Sequence, residues 1–296
     1  MKKILLIGKT GQLGGELIKD ASAFDFELIG LNRSDLDITN EAQMAEKITE
    51  IKPDILINTA AFHVVPKCET EPAAAMAVNF VAVDKLARLC RHHNIKFITY
   101  STDYVFDGEK GSPYEETDSP RPLQVYGISK LAGEYAALNI YPEGVFVIRT
   151  NGLYGGATGS PDKGGNFVLN IIKEAKGKNI IEVSSEQIIS PTYAGDLSQA
   201  TLKLLNSQAK PGVYHLVNEG QCSWAEFTQA IFKLAKVKTE VKPVDRGGAS
   251  GSMKRPKFSV LKNTKAKALG IELSSWQAGL KTYFNFLNNY QDESKN

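Results

Sequence analysis

The sequence predicts an α/β fold, a doubly wound parallel sheet followed by a smaller α/β part. Three observations predict it. Short apolar runs of strand length alternate with helix-period segments through the first half of the chain. The first apolar run opens directly into a glycine-rich turn, Gly8-Lys9-Thr10-Gly11-Gln12-Leu13-Gly14, and then a helix-compatible segment. After about residue 150 the regular alternation loosens.

Taken in order, Lys3 to Ile7 is a run suited to a buried parallel strand, and a helix is expected over 12–21. A helix N-terminus offers free N–H groups and a positive dipole end to a pyrophosphate. Glycines at 8, 11 and 14 permit the tight turn, the close approach of a phosphate and close helix–strand packing. Their spacing is G-x-x-G-x-x-G, so the plain Rossmann signature G-x-G-x-x-G is not met. Gly8-Lys9-Thr10 imitates the end of a Walker A loop, but Lys3 stands where that motif needs a glycine. Further strands are expected near 27–31, 54–58, 96–100 and 144–149, with helices near 41–51, 71–93 and 124–140. Such alternation gives right-handed βαβ units and a Rossmann-type sheet covered on both faces. Later, helices are expected near 166–176, 195–206 and 224–236, and strands near 180–183 and 213–217. Thr158 to Gly165 reads as a mobile loop and Lys242 to Arg255 as an active-site loop; both are glycine-rich.

Composition excludes several classes. Apolar content of 42% and charged content of 23% are those of an ordinary globular enzyme. A net charge of +2 without a basic run argues against nucleic acid. No apolar run approaches the roughly 20 residues of a membrane span. The chain enters its first strand without a leader pattern. Cys68, Cys90 and Cys222 lack pairing rhythm and fit reduced thiols, so a cytoplasmic location is expected. No Cys/His cluster has zinc spacing, and no metal is expected.

The chemistry concentrates in Tyr126-Gly127-Ile128-Ser129-Lys130-Leu131-Ala132. On a helix, Tyr126 and Lys130 share a face. An ammonium beside a phenol favours the phenolate, and can lower its pKa from about 10 by up to roughly 3 units. The same spacing also arises from mere helix neighbours. Ser101 and Thr102 follow a predicted strand, whose carboxyl end faces the ligand crevice of an open α/β sheet. Singly they read as turn residues.

Together these segments resemble the extended branch of the short-chain dehydrogenase/reductase superfamily, and more closely its dTDP-4-dehydrorhamnose reductases. Leu36 to Thr39, Pro53 to Asn58, Ser101 to Gly108, Tyr126 to Glu134, Arg149-Thr150, Gly165 to Val168 and Ser190 to Thr192 carry the likeness, which runs to about Arg255-Pro256. The resemblance implies NADPH-dependent reduction of the C4 ketone of dTDP-4-dehydro-6-deoxy-L-mannose to dTDP-L-rhamnose, the last step of dTDP-rhamnose biosynthesis. It implies Tyr126 as proton donor, Lys130 on the phenol and the nicotinamide ribose, and Thr102 as donor to the developing oxyanion. Asp103 either contacts substrate or caps its loop. Glu134 either pairs with Lys130 or faces solvent. Asn79 is implied to hold a helix near the lysine.

Cofactor choice turns on the end of the second strand. Leu31-Asn32-Arg33-Ser34 contains no acid for a ribose 2′-hydroxyl. Arg33 suits a 2′-phosphate, with Asn32 and Ser34 beside it, unless it is simply a solvent-facing arginine. NADPH is therefore favoured and NADH tolerated. The resemblance adds Asp37-Ile38 at the adenine; Ala60-Ala61-Phe62 lets backbone lie against ribose and phosphate.

It also implies residues 1–150 as the NAD(P)-binding domain, with later segments returning to it, and 151–296 mainly as the part that grips the nucleotide-sugar. Thr158 to Gly165 and Arg246 to Arg255 are expected to order only when the nucleotide-sugar binds. Arg255 falls in a late segment near the pyrophosphate. Two departures stand out: Pro66 where relatives often have Asp, and Asn151-Gly152 where many carry an aromatic residue on the sugar. Asn151 is thus a substrate-side candidate with room left over. Thr102, Tyr126 and Lys130 are shared across the branch, so a reductase or epimerase of a GDP- or UDP-sugar, or a non-catalytic NADP-binding regulatory subunit, remains open. Oligomeric state, homodimer included, is not fixed by these patterns.

Overall fold

The structure is a computed structural model that describes residues 1–159, 164–245, 249–250 and 253–293. Of the two segments expected to order with substrate, residues 160–163, 246–248 and 251–252 lie outside the described residues.

Six parallel strands form the central sheet: β1 (Lys2–Ile7), β2 (Phe26–Leu31), β3 (Ile55–Asn58), β4 (Lys96–Thr102), β5 (Val145–Thr150) and β6 (Gly212–His215). Their spatial order is β6-β5-β4-β3-β1-β2, with the reversal between β1 and β3 that defines a doubly wound sheet. Within β1, Ile4 and Leu6 enter one apolar cluster and Leu5 and Ile7 enter another. Side chains of a strand alternate between faces, so a continuous apolar strand needs cover on both. Helices α1 (Gln12–Asp20) and α6 (Ala194–Asn206) cover one face through Leu13, Leu17, Leu197 and Leu204. Helices α2 (Glu41–Ile51), α3 (Ala82–His92) and α4 (Val125–Ile140) cover the other through Met44, Ile48, Leu86 and Ala137. A third cluster, built on Tyr154, Phe227, Ile231 and Tyr283, joins α5 (Phe167–Ala175), α7 (Trp224–Ala235) and α8 (Trp276–Glu293).

Two expectations need correction. The segment expected as one helix over 71–93 is preceded by a short helix, Val65–Thr70, and is broken into Pro72–Met76, a π-turn Ala77–Val81, and α3. Pro66 and Pro72 each start a helical turn, where a missing N–H costs nothing. The π-turn carries Asn79 into the interior, where its side chain bonds Phe62 and Ser129. The expected active-site loop from Lys242 begins instead as strand: Glu240–Val244 pairs in parallel with Ile180–Ser184. Among the described residues no helix is long and apolar enough to cross a membrane.

Candidate active site

The glycine turn lies at the carboxyl end of β1. Gly8 has φ +95°, open to glycine at little cost. A Cβ on Gly14 would lie 2.2 Å from the Gly8 carbonyl oxygen, so α1 packs on the turn through a position only glycine fits. Gly11, the N-cap of α1, provides no side-chain cap. The first N–H groups of α1 therefore stay available to an anion. Thr10 is exposed, Gln12 half-buried with its Oε1 unpartnered, and Leu13 buried in the core. Ala60, Ala61 and Phe62 follow β3, half-buried beside the turn. Asn79 fixes that stretch: its Oδ1 accepts from Phe62 N–H at 2.9 Å, and its Nδ2 donates to the Phe62 carbonyl and to Ser129 Oγ, each at 3.0 Å. A close-approach turn, an uncapped helix end and an ordered small-residue strand exit fit a dinucleotide.

Beyond β2, Asn32 is occupied with its own loop; its Oδ1 accepts from Ser34 N–H, Ser34 Oγ and Asp35 N–H. Arg33 is exposed and acts through space on Asp37, whose carboxyl is held below its usual range mainly by Thr39 N–H and then by the Thr39 hydroxyl. Ile38 is buried behind it.

The residues expected to carry proton transfer come together at the end of β4. That strand runs two residues past its expected end and places Ser101 and Thr102 at its tip. Tyr126 and Lys130 stand in the first two turns of α4. A Cβ on Gly127 would lie 2.1 Å from the Tyr104 carbonyl oxygen, so α4 is pressed directly on the turn that carries Thr102 to Val105. Tyr126 reaches the Thr102 hydroxyl. Its ring stands edge-on to Tyr104, with centroids 6.0 Å apart.

The electrostatics differ from expectation. Burial pushes the Tyr126 phenol up, with the Asp103 carboxylate adding to it, and Lys130 does not offset this. Burial pulls the Lys130 ammonium down to about 8 against an opposing pull from Glu134. No hydrogen bond joins Tyr126 and Lys130 among the described residues. Desolvation disfavours both charged forms here, and it outweighs the helix-spacing effect. Thr102 Oγ1 donates to Asp103 Oδ1 at 3.0 Å and accepts from Tyr104 N–H at 3.2 Å, so its proton is engaged within its own turn.

Several partners were not visible in the motif. Glu134 neither pairs with Lys130 nor faces solvent: it forms a buried bidentate ion pair with Arg149, with contacts of 2.6, 3.0 and 3.2 Å. Burial, then the charge of Arg149, pulls the neighbouring His215 down to about 3. Asp103 is buried, with its Oδ2 unpartnered, and burial raises its carboxyl to about 7 against bonds from Ser259 and Thr102. Asn151 Nδ2 donates to the Ser259 carbonyl at 2.8 Å and to its hydroxyl at 3.2 Å, tying the end of β5 to the same late segment. Arg255 acts on Tyr104, and its buried Nε is unpartnered. Glycine 108 meets Pro256 and Lys257, which would crowd a Cβ there at 2.7 Å. Residues 255–259 thus return to the β4 turn, a juxtaposition across some 150 residues that short-range pattern does not encode.

A profile of the RmlD substrate binding domain family matches residues 1–289. The chain is 36% identical over 294 residues to dTDP-4-dehydrorhamnose reductase of Aggregatibacter actinomycetemcomitans, covering 95% of this chain and 98% of the relative. The crystal structure of a dTDP-4-dehydrorhamnose reductase from Clostridium acetobutylicum superposes with TM-score 0.90 at 34% identity, covering 97% of this chain and 99% of that one. The Bacillus anthracis dTDP-4-dehydrorhamnose reductase, solved in complex with NADP, gives TM-score 0.89 at 33% identity over 96% of this chain and 98% of that one.

Proposed function

The chain belongs to the RmlD substrate binding domain family, and from that premise we propose that it reduces the C4 ketone of dTDP-4-dehydro-6-deoxy-L-mannose to dTDP-L-rhamnose with NADPH. The observation that carries the reaction type is the meeting of Tyr126 with the Thr102 hydroxyl at the tip of β4, on the helix that also bears Lys130. The similarity to dTDP-4-dehydrorhamnose reductases supports the sugar.

The dinucleotide supplies the hydride. Gly8, Gly11 and Gly14 let backbone and the α1 N-terminus approach its pyrophosphate, and Thr10, Gln12 and Leu13 complete the turn. Asp37 and Ile38 face the adenine side, Arg33 with Asn32 the ribose 2′-position, and Ala60, Ala61 and Phe62 the inner ribose and phosphate. Lys130 holds the nicotinamide ribose. As charge gathers on the C4 oxygen, the Tyr126 Oη–H bond breaks and its proton moves to that oxygen. A phenol made harder to ionise by burial needs its anion stabilised at that moment, and this reading assigns that charge to the Lys130 ammonium one helical turn on, once the bound ligands bring the two together. Thr102 must turn its proton from Asp103 toward the same oxygen. Asp103, Asn151 and Arg255 stand on the sugar side. Residues 1–150 carry the dinucleotide and 151–296 mainly the nucleotide-sugar in this reading.

The test is NADPH oxidation with dTDP-, UDP- and GDP-linked 4-keto-6-deoxysugars side by side. Turnover of the dTDP-linked L-sugar above the others is expected. Equal rates on UDP- or GDP-sugars would overturn the substrate, and no turnover with tight NADPH binding would point to a regulatory protein.

A further inference from the structure

A charge pair beside the nucleotide site is left without a role by the proposed reaction. Lys9, in the glycine turn, lays its stem against Gly30 of β2: a Cβ at Gly30 would come within 2.9 Å of Lys9 Cβ and 3.4 Å of its Cδ. Its Nζ ends 2.8 Å from Asp35 Oδ2, with both side chains about a third exposed. The backbone binds the same two loops, since Gly8 and Lys9 N–H both donate to the Leu31 carbonyl, at 2.8 and 3.1 Å.

Asp35 is held in place independently of Lys9. Its Oδ2 accepts from Asn32 N–H at 2.9 Å, while Asn32 Oδ1 accepts in return from Asp35 N–H at 3.1 Å. That backbone N–H first, and Lys9 second, keep the Asp35 carboxyl below its usual range, with Lys47 of α2 adding a weaker pull. Arg33 is exposed on the same loop, with Asp37 as its facing acid.

In open α/β sheets the loop after β2 reads the 2′-position of the adenosine ribose. A carboxylate there accepts from a free hydroxyl, and a cation pairs with a 2′-phosphate. The sequence offers no acid within the first residues after the strand, but the folded loop places one there with a lysine on it. We infer that the Lys9–Asp35 pair selects between the two nicotinamide dinucleotides: a 2′-phosphate draws Lys9 away and is held by Lys9 and Arg33, whereas a free 2′-hydroxyl leaves the pair closed and donates to Asp35. Asp35 stays anionic and fixed when the phosphate arrives, so it opposes the gain from Lys9. The pair therefore limits the preference for NADPH and keeps NADH usable. This inference rests on the dinucleotide-binding part of the function proposed above.

It is tested on the protein without sugar, by titrating NADPH and NADH and following nicotinamide fluorescence. Lys9→Met should lower the NADPH-over-NADH affinity ratio by about tenfold or more, the worth of one charge-assisted hydrogen bond. Asp35→Asn should raise the ratio by roughly threefold to tenfold. Lys9→Arg, which keeps the charge, should restore most of the ratio and separates loss of charge from a damaged turn. A ratio unmoved by both Lys9→Met and Asp35→Asn overturns the inference. So does an equal loss of both cofactors in Lys9→Met with no change in Asp35→Asn, which would make Lys9 a pyrophosphate contact only. If the ratios shift as expected but no 4-keto sugar is reduced, the selector stands and the reaction falls. If the wild-type protein binds neither dinucleotide, both fall.

Discussion

Asp103 carries a carboxyl group that water barely reaches, at 4% exposure with Oδ2 unpartnered. Burial sets its carboxyl near 7, against 3.8 for an ordinary aspartate, so the folded chain holds a proton there that the unfolded chain has released. The stability from that raised value is complete below about pH 4 and lost as pH rises toward 7. Asp103→Asn should therefore melt close to wild type at pH 4 and above it at pH 8, by an amount worth a few kcal/mol at most. Melting curves at the two pH values check this; a gap that shrinks with rising pH would mean the carboxylate is paired. Tyr126 sits in the same surroundings, with a phenol that burial makes hard to ionise. Tyr126→Phe should retain NADPH binding and lose turnover by about 10²–10⁴-fold. Near-normal turnover would remove Tyr126 from the proton path. The Tyr126/Lys130 spacing was legible because four residues bring two side chains to one helix face. The direction of the phenol's shift was not, because it depends on burial in the folded chain and then on the charges of Asp103, Cys68 and Tyr104, which lie elsewhere in the sequence.

Within α1, two adjacent glycines do opposite work. Gly14 faces the Gly8 carbonyl with no room for a methyl group, whereas a Cβ on Gly15 meets nothing within 4 Å. Gly15→Ala should stabilise the protein by about 0.5–1 kcal/mol, the helix propensity difference. Gly14→Ala should destabilise it by roughly 1–3 kcal/mol and, where the turn binds the pyrophosphate as proposed, weaken NADPH binding, since α1 can only move off that turn. Urea unfolding midpoints with a NADPH titration test the pair, and similar midpoints for both variants would show that α1 yields freely. Helix α4 is fixed from its inner face: Glu134 reaches across to Arg149 of β5 in a pair only 2–4% exposed. Removing the acid leaves a buried guanidinium beside His215, so Glu134→Ala should cost about 3–5 kcal/mol. An unfolding midpoint near that of wild type would mean water enters to solvate Arg149. The strands and helices themselves were readable because each is a local pattern, apolar runs for β1 to β5 and a 3.6-residue period for α2 and α7. The π-turn was not, since it is set by Asn79 reaching Phe62 and Ser129 across the interior.

At the scale of the molecule, the question is whether the dinucleotide half stands alone. The sequence loosens near residue 150, and the reading there is an approximate boundary with later segments returning to the first part. The packing runs against a clean cut. Strand β6 closes the sheet against β5, and α6 packs on α1. Leu197, Leu202, Leu204, Leu205, Tyr214 and Leu216 join the same apolar cluster as Ile4, Leu6, Leu13 and Leu17. Tyr100 of β4 is hydrogen-bonded at 2.9 Å to Thr201 of α6, both buried. A fragment ending at residue 150 would leave the face under α1 and one edge of the sheet open to water, and would lack the hydrogen-bond partner of a buried tyrosine. It should show no cooperative urea transition and no NADPH binding, while the full chain unfolds in a single step. A sharp transition in the fragment, with binding retained, would establish residues 1–150 as a self-sufficient unit. The same contacts bear on function. Ser259 from the late chain bonds Asp103, and Pro256 packs on Gly108 just beyond the turn that presents Thr102 and Asp103. A displacement of residues 255–259 would therefore reach the turn that carries Thr102 and Asp103 through direct contact.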